Sequence, residues 1–195
     1  GEWKSRIAWL QSQGYLSTIE RTSLDLGLVE PTSDEAETIL ADPNLTTGLD
    51  KINERLGADP NRNRILVRHI ASMNPDWPVV VFAGSVAHAK LLAVELSAIG
   101  VPSRPVWGGL APWARRDAIE RFRSGEVRVL TNFNVLSEGF DAPLTRAVVI
   151  ARLVQSDGLF LQMLGRGMRG PKNGGTDACE LITTGERLPQ RFDAD

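Results

Sequence analysis

The chain has very little cysteine, histidine and tyrosine. Its 195 residues include one cysteine, two histidines and one tyrosine. A lone Cys179 excludes an internal disulfide, and with only His69 and His88 beside it a zinc site of cysteine and histidine is excluded too. No apolar run reaches the roughly 18 residues that a membrane helix needs, and the start lacks a signal-peptide core. These absences predict a soluble, cytoplasmic (bacterial-type intracellular) chain with no metal site of its own.

The formal net charge of −2 is unevenly distributed along the chain. Residues 1–60 hold five Lys/Arg against eleven Asp/Glu, whereas residues 61–195 hold 17 against 13. Almost all basic residues of the second part are arginines, which suit bidentate phosphate contacts. Ordinary solvated helix faces would carry the same residues. Charge alone therefore leaves nucleic-acid binding open.

From Pro78 onward the chain alternates short strands with helices. Strands are predicted at 79–83, 103–107, 127–131, 147–151 and 178–183, and helices at 86–99, 112–123 and 157–168. The valine-rich strands lack polar alternation, which is typical of strands buried on both faces. Ser85 is placed to cap the first of these helices and Gly100 to end it. The pattern predicts an α/β fold, a parallel β-sheet flanked by helices.

Residues 1–60 have no strand-like pattern and predict helices and connectors. Thr32 and Glu35 have the spacing of a capping box, followed by Ile39 and Leu40 as apolar anchors. The predicted organisation is a mainly helical N-terminal extension and connector at 1–60, before one α/β domain at 61–195.

The most specific motif is Gln162-Met-Leu-Gly165-Arg166-Gly-Met-Arg169, at the end of the third of these helices. Arg166 and Arg169 stand three residues apart, so they share one side of a helix. Two guanidinium groups placed in this way can spread the charge of a phosphoryl group during transfer. An exposed helix end rich in arginine and glycine would show the same residues without a function.

A second segment follows the predicted strand at 127–131. Thr131 and Asn132 stand at the end of this strand, and Gly139 and Asp141 come a few residues later. A glycine lets the backbone approach a phosphate closely, and a carboxylate can accept a hydrogen bond from a ribose hydroxyl. A turn without any function remains the alternative.

Two further segments complete the pattern. Ser85 follows the strand at 79–83, where its hydroxyl could contact a phosphate or simply cap the helix. Arg115 follows Gly108-Gly109 and is a candidate for contact with a strand backbone. The neighbouring Arg116, Arg121 and Arg123 are interpreted as an exposed helix face.

Taken in order over residues 79–169, these segments resemble motifs IV, V and VI of superfamily 2 helicases of the DEAD/DEAH type. The chain is similar to their second RecA-like lobe, the helicase C-terminal domain. The Gly139-Phe-Asp-Ala-Pro143 form and the Gln162 motif look more like the RadD-like and XPB-like DNA-repair and restriction-type branch than like DEAD-box RNA helicases. Gln13-Gly-Tyr-Leu16 also looks like a segment at the lobe-to-lobe connection of that branch.

The resemblance implies an ATP-dependent helicase or translocase that acts on nucleic acid, and it favours DNA over RNA. In it Arg166 and Arg169 would be arginine fingers on ATP, and Gln162 would orient the attacking water or touch the γ-phosphate. Gly139 and Asp141 would face the nucleotide. The residues that would hold the nucleic-acid backbone are Ser85, Arg115, Thr131 and Asn132.

No Gly-x4-Gly-Lys-Ser/Thr phosphate loop occurs in the chain. ATP and Mg²⁺ would therefore be bound mainly by an N-terminal RecA-like lobe, and the chain alone is expected to be inactive as an ATPase.

Two other interpretations remain open. Gly165-x-Gly167-x-x-Gly170 spells a dinucleotide-binding fingerprint, although here it ends a helix and does not follow a strand. The chain could also be a non-catalytic α/β interaction domain whose arginines only decorate the surface.

Overall fold

The fold is a six-stranded sheet with helices on both faces. The computed structural model describes residues 2–41, 46–135, 144–154, 160, 163, 165 and 169–186. The strands are β1 Thr18–Ser23, β2 Val79–Ala83, β3 Ser103–Trp107, β4 Val129–Phe133, β5 Ala147–Ala151 and β6 Ala178–Thr183. The helices are α1 Glu2–Ser12, α2 Ser33–Ala41, α3 Thr46–Ala58, α4 Pro60–Ser72, α5 Val86–Ala98 and α6 Pro112–Ser124, with a short 3₁₀ helix at Pro171–Asn173.

The strand order is β1-β6-β5-β2-β4-β3, and every pair of neighbours is parallel. Parallel neighbours need crossover connections, which the helices provide on both faces of the sheet. The predicted α/β fold with a parallel sheet is confirmed, and four of the five predicted strands have the predicted bounds.

Alternate residues of the central strand β2 face two separate cores. Val80 and Phe82 pack with residues of α6 and β6, whereas Val79 and Val81 pack with residues of α4 and α5. All five residues of β2 are buried. This arrangement explains why the strand carries no polar alternation.

The third predicted helix, 157–168, lies mostly outside the described residues. Its described residues Phe160, Met163 and Gly165 are helical. Met163 is buried in the core on the α6 side of the sheet, and Phe160 packs against that core. The described part therefore agrees with a helix over this sheet face.

The predicted bounds of β4 are wrong by two residues. Val127 is buried, but its N–H donates to the carbonyl of Arg121, which lies in the last turn of α6. The ladder with β3 begins only at Val129, opposite Ser103. The burial of Val127 thus comes from packing under α6 and not from strand pairing.

The prediction that residues 1–60 contain no strand is also wrong. Residues 18–23 form β1, which pairs in register with β6 from Thr18 opposite Ala178 to Ser23 opposite Thr183. The strand lies at the edge of the sheet, and none of its residues is fully buried. Its sequence therefore lacks the apolar pattern by which a strand is usually found.

A third, smaller core is formed by Val29, Ile39, Leu49, Ile52, Leu56 and Leu153. The predicted capping box is confirmed, since the Thr32 N–H donates to Glu35 Oε2 at 2.8 Å and the Glu35 N–H to Thr32 Oγ1 at 3.3 Å. Ile39 is buried as predicted, but Leu40 is 76% exposed, so its assignment as an anchor is wrong. A helix shows only one apolar stripe to its neighbours, and Leu40 lies off that stripe.

No helix among the described residues is long and apolar enough to cross a membrane.

Candidate functional site

The predicted site residues follow the carboxyl ends of parallel strands, which meet at one edge of the sheet. Ser85 follows β2, Asn132 lies near the end of β4, and Trp107 ends β3. Because β4 pairs with both β2 and β3, these positions are neighbours along that edge. Ligands of open α/β sheets bind at this edge.

Ser85 caps helix α5, as predicted. Its Oγ accepts a hydrogen bond from the His88 N–H at 3.1 Å, and the residue is 7% exposed. The cap uses one acceptor site of the hydroxyl and leaves its proton available. Its contact with a nucleic-acid backbone stays a prediction.

The side chains of Thr131 and Asn132 are both used in hydrogen bonds inside the protein. The Thr131 hydroxyl donates to the carbonyl of Ala89 at 2.7 Å, and Asn132 Nδ2 donates to the carbonyl of Val81 at 2.9 Å. Both side chains are buried, with exposures of 0% and 1% for the residues. In this conformation neither side chain reaches a nucleic acid, so the predicted contacts would require these internal bonds to break.

Arg115 holds the loop after β3. Its Nη2 donates to the carbonyl of Gly108 at 2.9 Å and lies 3.5 Å from the carbonyls of Trp107 and Leu110. The guanidinium group is thus used to shape the loop. Its contact with a nucleic-acid backbone remains a prediction. Arg115 could also act indirectly, by holding the loop that makes the contact.

Arg169 is held through its backbone by the segment that follows α1. Its carbonyl accepts a hydrogen bond from Ser17 Oγ at 2.9 Å, and Leu16 and Arg169 form an antiparallel bridge. The next N–H, of Gly170, donates to the carbonyl of Tyr15 at 3.0 Å. A Cβ at Gly170 would collide with the Gly14 carbonyl, so glycine is required there. Residues 14–17 therefore fix the backbone at the end of the arginine motif.

The other predicted site residues lie outside the described residues. They are Gly139, Asp141, Gln162 and Arg166. The structure therefore places Ser85, Thr131, Asn132 and Arg115 along one edge, and it places Arg169 at the contact with residues 14–17.

Sequence reasoning missed a buried asparagine that ties α3 to the same edge. Asn53 Nδ2 donates to the Leu153 carbonyl at 3.1 Å, and its Oδ1 accepts from the Leu153 N–H at 2.7 Å. Asn53 lies beside the buried stripe Leu49, Ile52 and Leu56 of α3. A polar residue in such a stripe is the signal that could have identified it, because buried polar groups need partners. Helix α3 thereby fixes the chain just after β5.

His88 is a buried histidine in the first turn of α5, the helix that Ser85 caps. His88 Nδ1 accepts a hydrogen bond from the Gly84 N–H at 3.1 Å, so its Nε2 carries the proton of the neutral ring. A Cβ on Gly57 would lie 2.7 Å from the His88 Cβ, which shows how closely α3 approaches α5. Burial, and then the charge of Arg62, lowers the pKa of His88 from 6.5 to about 3.

The depressed pKa of His88 makes folding stability depend on pH. Between pH 6.5 and about 3 the unfolded chain binds a proton at this histidine that the folded chain does not. The contribution of neutral His88 to the free energy of unfolding is therefore fully present above pH 6.5, and it is lost as the pH falls from 6.5 towards 3. We expect His88→Gln to reduce the loss of unfolding free energy between pH 7 and pH 4 by about 2–4 kcal/mol.

Urea titrations at the two pH values measure this loss. His69→Gln is the matched control, since it removes the other histidine of the chain and leaves His88 in place. Equal pH dependence in wild type and His88→Gln would contradict the assignment.

No group of three or more His, Cys, Asp or Glu side chains within the described ranges could hold a metal ion.

The dinucleotide interpretation is disfavoured by the surroundings of its glycines. Gly165 is helical, and the preceding described strand, β5, ends at Ala151. A dinucleotide fingerprint needs its first glycine directly after a strand.

The profile of the family described as "Helicase conserved C-terminal domain" matches residues 61–171. Among curated proteins, the chain is 29% identical over 105 residues to the ATP-dependent rRNA helicase rrp-3 of Neurospora crassa, covering 54% of this chain and 20% of that protein. It is 29% identical over 108 residues to the ATP-dependent RNA helicase DHH1 of Encephalitozoon cuniculi, covering 55% and 22%. The chain thus spans about a fifth of the length of these relatives.

Solved structures show the same fold. A DEAD box protein from the hyperthermophile Methanococcus jannaschii superposes with a TM-score of 0.55 at 24% identity, covering 68% of this chain and 34% of that one. The C-terminal domain of the DEAD-box protein Dbp5 gives 0.53 at 21% identity, covering 69% and 73%. The RecA-like α/β fold is therefore shown.

Proposed function

Because the chain belongs to the family of helicase conserved C-terminal domains, we propose that it is the second RecA-like lobe of an ATP-driven motor on nucleic acid. The observation that carries this proposal is the placement of the motif residues. Ser85 follows β2, and Asn132 lies one residue before the end of the neighbouring strand β4, at the edge where ligands of open α/β sheets bind and in the order that the resemblance implies.

The lobe would act on a nucleotide held by a preceding lobe. Arg166 and Arg169 would stabilise the charge that develops on the γ-phosphate, and Gln162 would orient the attacking water. Gly139 and Asp141 would contact the nucleotide. The backbone bonds of Arg169 to Ser17 and of Gly170 to Tyr15 support this role, since an arginine finger must be held in one place.

The same edge would hold the nucleic-acid backbone. Ser85 retains its hydroxyl proton, and the loop shaped by Arg115 exposes Gly108 and Gly109. Contacts to phosphates position a strand without reading its sequence. Closure and reopening of the two lobes would then move the grip along the strand.

A further part of the proposal is whether the nucleic acid is DNA or RNA. The Gly139-Phe-Asp-Ala-Pro143 form and the Gln162 motif favour a DNA motor of the RadD-like or XPB-like branch. The names of the relatives rrp-3 and DHH1 instead describe RNA helicases. We take DNA as the first candidate and RNA as the second.

The test is ATP turnover by the full-length protein with and without nucleic acid. Hydrolysis should rise when single-stranded DNA is added, and this rise should weaken with salt because phosphate contacts are lost. RNA of the same base sequence provides the comparison that separates the two candidates. The isolated chain should show no turnover. Equal rates with and without both nucleic acids would contradict the motor and favour a non-catalytic interaction domain.

A further inference from the structure

A tryptophan stands exposed on the loop side of α6. Trp113 lies in the first turn of this helix, just after the loop that leaves β3, and it is 70% exposed. Between residues 100 and 135, all of which the structure describes, it is the only exposed large hydrophobic side chain. A protein-docking patch normally combines several such side chains. A single exposed indole is better suited to contact one flat ring.

Cationic side chains lie at the two ends of the loop that joins β3 to α6. Arg116 is exposed one helical turn from Trp113, on the same side of α6. The Lys90 ammonium lies 4.3 Å from the centroid of the Trp107 ring at the end of β3. In the described part of the chain neither Lys90 nor Arg116 forms an ion pair, whereas the nearby Asp117 is bound to Arg121 at 3.0 Å. We call Lys90, Trp107, Gly108, Gly109, Trp113 and Arg116 the β3 surface.

The β3 surface is preformed. Arg115 holds the loop carbonyls of Trp107, Gly108 and Leu110. A Cβ on Gly109 would lie 3.5 Å from Trp107 Nε1, so the loop packs against that ring. A surface fixed in advance loses little conformational entropy when a ligand binds.

The β3 surface continues the edge that carries Ser85. Strands β3, β4 and β2 are neighbours, so the ends of β3 and β2 lie about 10 Å apart at ordinary strand spacing. A strand of nucleic acid held at Ser85 could therefore extend onto the β3 surface.

We propose that Trp113 stacks on a base of single-stranded nucleic acid while Lys90 and Arg116 contact the flanking phosphates. The proposal rests on the proposed function and adds a contact to the bases, which the phosphate contacts at Ser85 do not provide. Stacking tolerates every base, because each has a flat aromatic face. The site would therefore strengthen binding without selecting a sequence.

The experiment measures dissociation constants of the full-length protein for fluorescein-labelled strands. The probes are a 20-nucleotide thymidine DNA, its uridine RNA counterpart, and an abasic DNA of the same length. Trp113→Ala should weaken binding to the probes with bases by about 5- to 100-fold, and Trp113→Phe by less than about threefold. On the abasic strand Trp113→Ala should bind like the wild type. The double variant Lys90→Ala, Arg116→Ala should reduce the slope of the logarithm of the dissociation constant against the logarithm of the salt concentration, by the amount expected for about two phosphate contacts.

Trp9→Ala is the matched control. Trp9 is 58% exposed on α1. It precedes the segment that leads into β1, which is the strand farthest from β3 in the sheet. Its removal should leave all dissociation constants unchanged. Unchanged binding by Trp113→Ala, or an equal loss on the abasic strand, would overturn the stacking contact but not the motor. Failure of the wild type to bind any probe would overturn the proposed function together with the stacking contact.

Discussion

Glu186→Ala should lower the free energy of unfolding of the chain by about 3–5 kcal/mol. Glu186 binds Arg62 through two contacts, with Oε1 2.6 Å from Nε and Oε2 2.8 Å from Nη2. The two side chains are only 4% and 3% exposed. Removing the carboxylate would leave the Arg62 guanidinium charged, buried and without its counter-charge.

Urea denaturation at pH 7 measures this loss. Glu126→Ala is the matched control, because Glu126 pairs with Arg121 at 3.1 Å but its side chain is 61% exposed. Exposed pairs contribute about 0–1 kcal/mol, so this control should stay near the wild type. The double variant Arg62→Met with Glu186→Leu should recover most of the stability. A loss below about 1 kcal/mol in Glu186→Ala would show that the pair is not buried as described.

Arg169→Ala should reduce kcat for ATP hydrolysis by the full-length protein about a thousandfold. The reason is that an arginine finger acts mainly on charge that exists in the transition state. The backbone at this position is held by Ser17, Tyr15 and Leu16, so the variant should still fold. Arg169→Lys should restore little activity, since an ammonium group cannot make the paired contacts of a guanidinium.

Steady-state rates at saturating ATP and nucleic acid measure this effect. Arg68→Ala, which removes an exposed arginine of α4, is the control and should keep the wild-type kcat. A kcat within about tenfold of the wild type for Arg169→Ala would exclude the finger role.

The sheet was predictable because its strands are buried on both faces. Val79–Ala83 and Ala147–Ala151 consist almost entirely of apolar residues, and burial on both faces requires this. Ser85 and the Thr32–Glu35 capping box were also predictable, since their hydrogen bonds join residues only three positions apart.

Contacts between distant parts of the chain could not be predicted in this way. β1 is an edge strand whose sequence is polar, so only its pairing with β6 identifies it. The same holds for the Arg62–Glu186 pair and for the bonds of Asn53 to Leu153, which join residues 124 and 100 positions apart. Nothing in the local sequence of either partner specifies the other.

Residues of the N-terminal segment bind the backbone of the candidate site, which the composition of the segment does not indicate. It is acidic and lacks the motifs, yet Ser17 and Tyr15 bind the backbone at Arg169 and Gly170. Asn53 likewise fixes the chain after β5. Residues 1–60 therefore support the edge and the arginine motif, while the domain boundary near residue 60 stays a prediction.

We propose that the arginines of this lobe act on a phosphoryl group carried by another lobe. Binding of ADP with aluminium fluoride, which imitates that group in transfer, to the full-length protein and its Arg166→Ala, Arg169→Ala double variant tests it most directly. The double variant should bind this analogue about a thousandfold more weakly but should bind ADP alone within about tenfold of the wild type. Equal affinity of both proteins for the analogue would show that the two arginines do not act on the phosphoryl group.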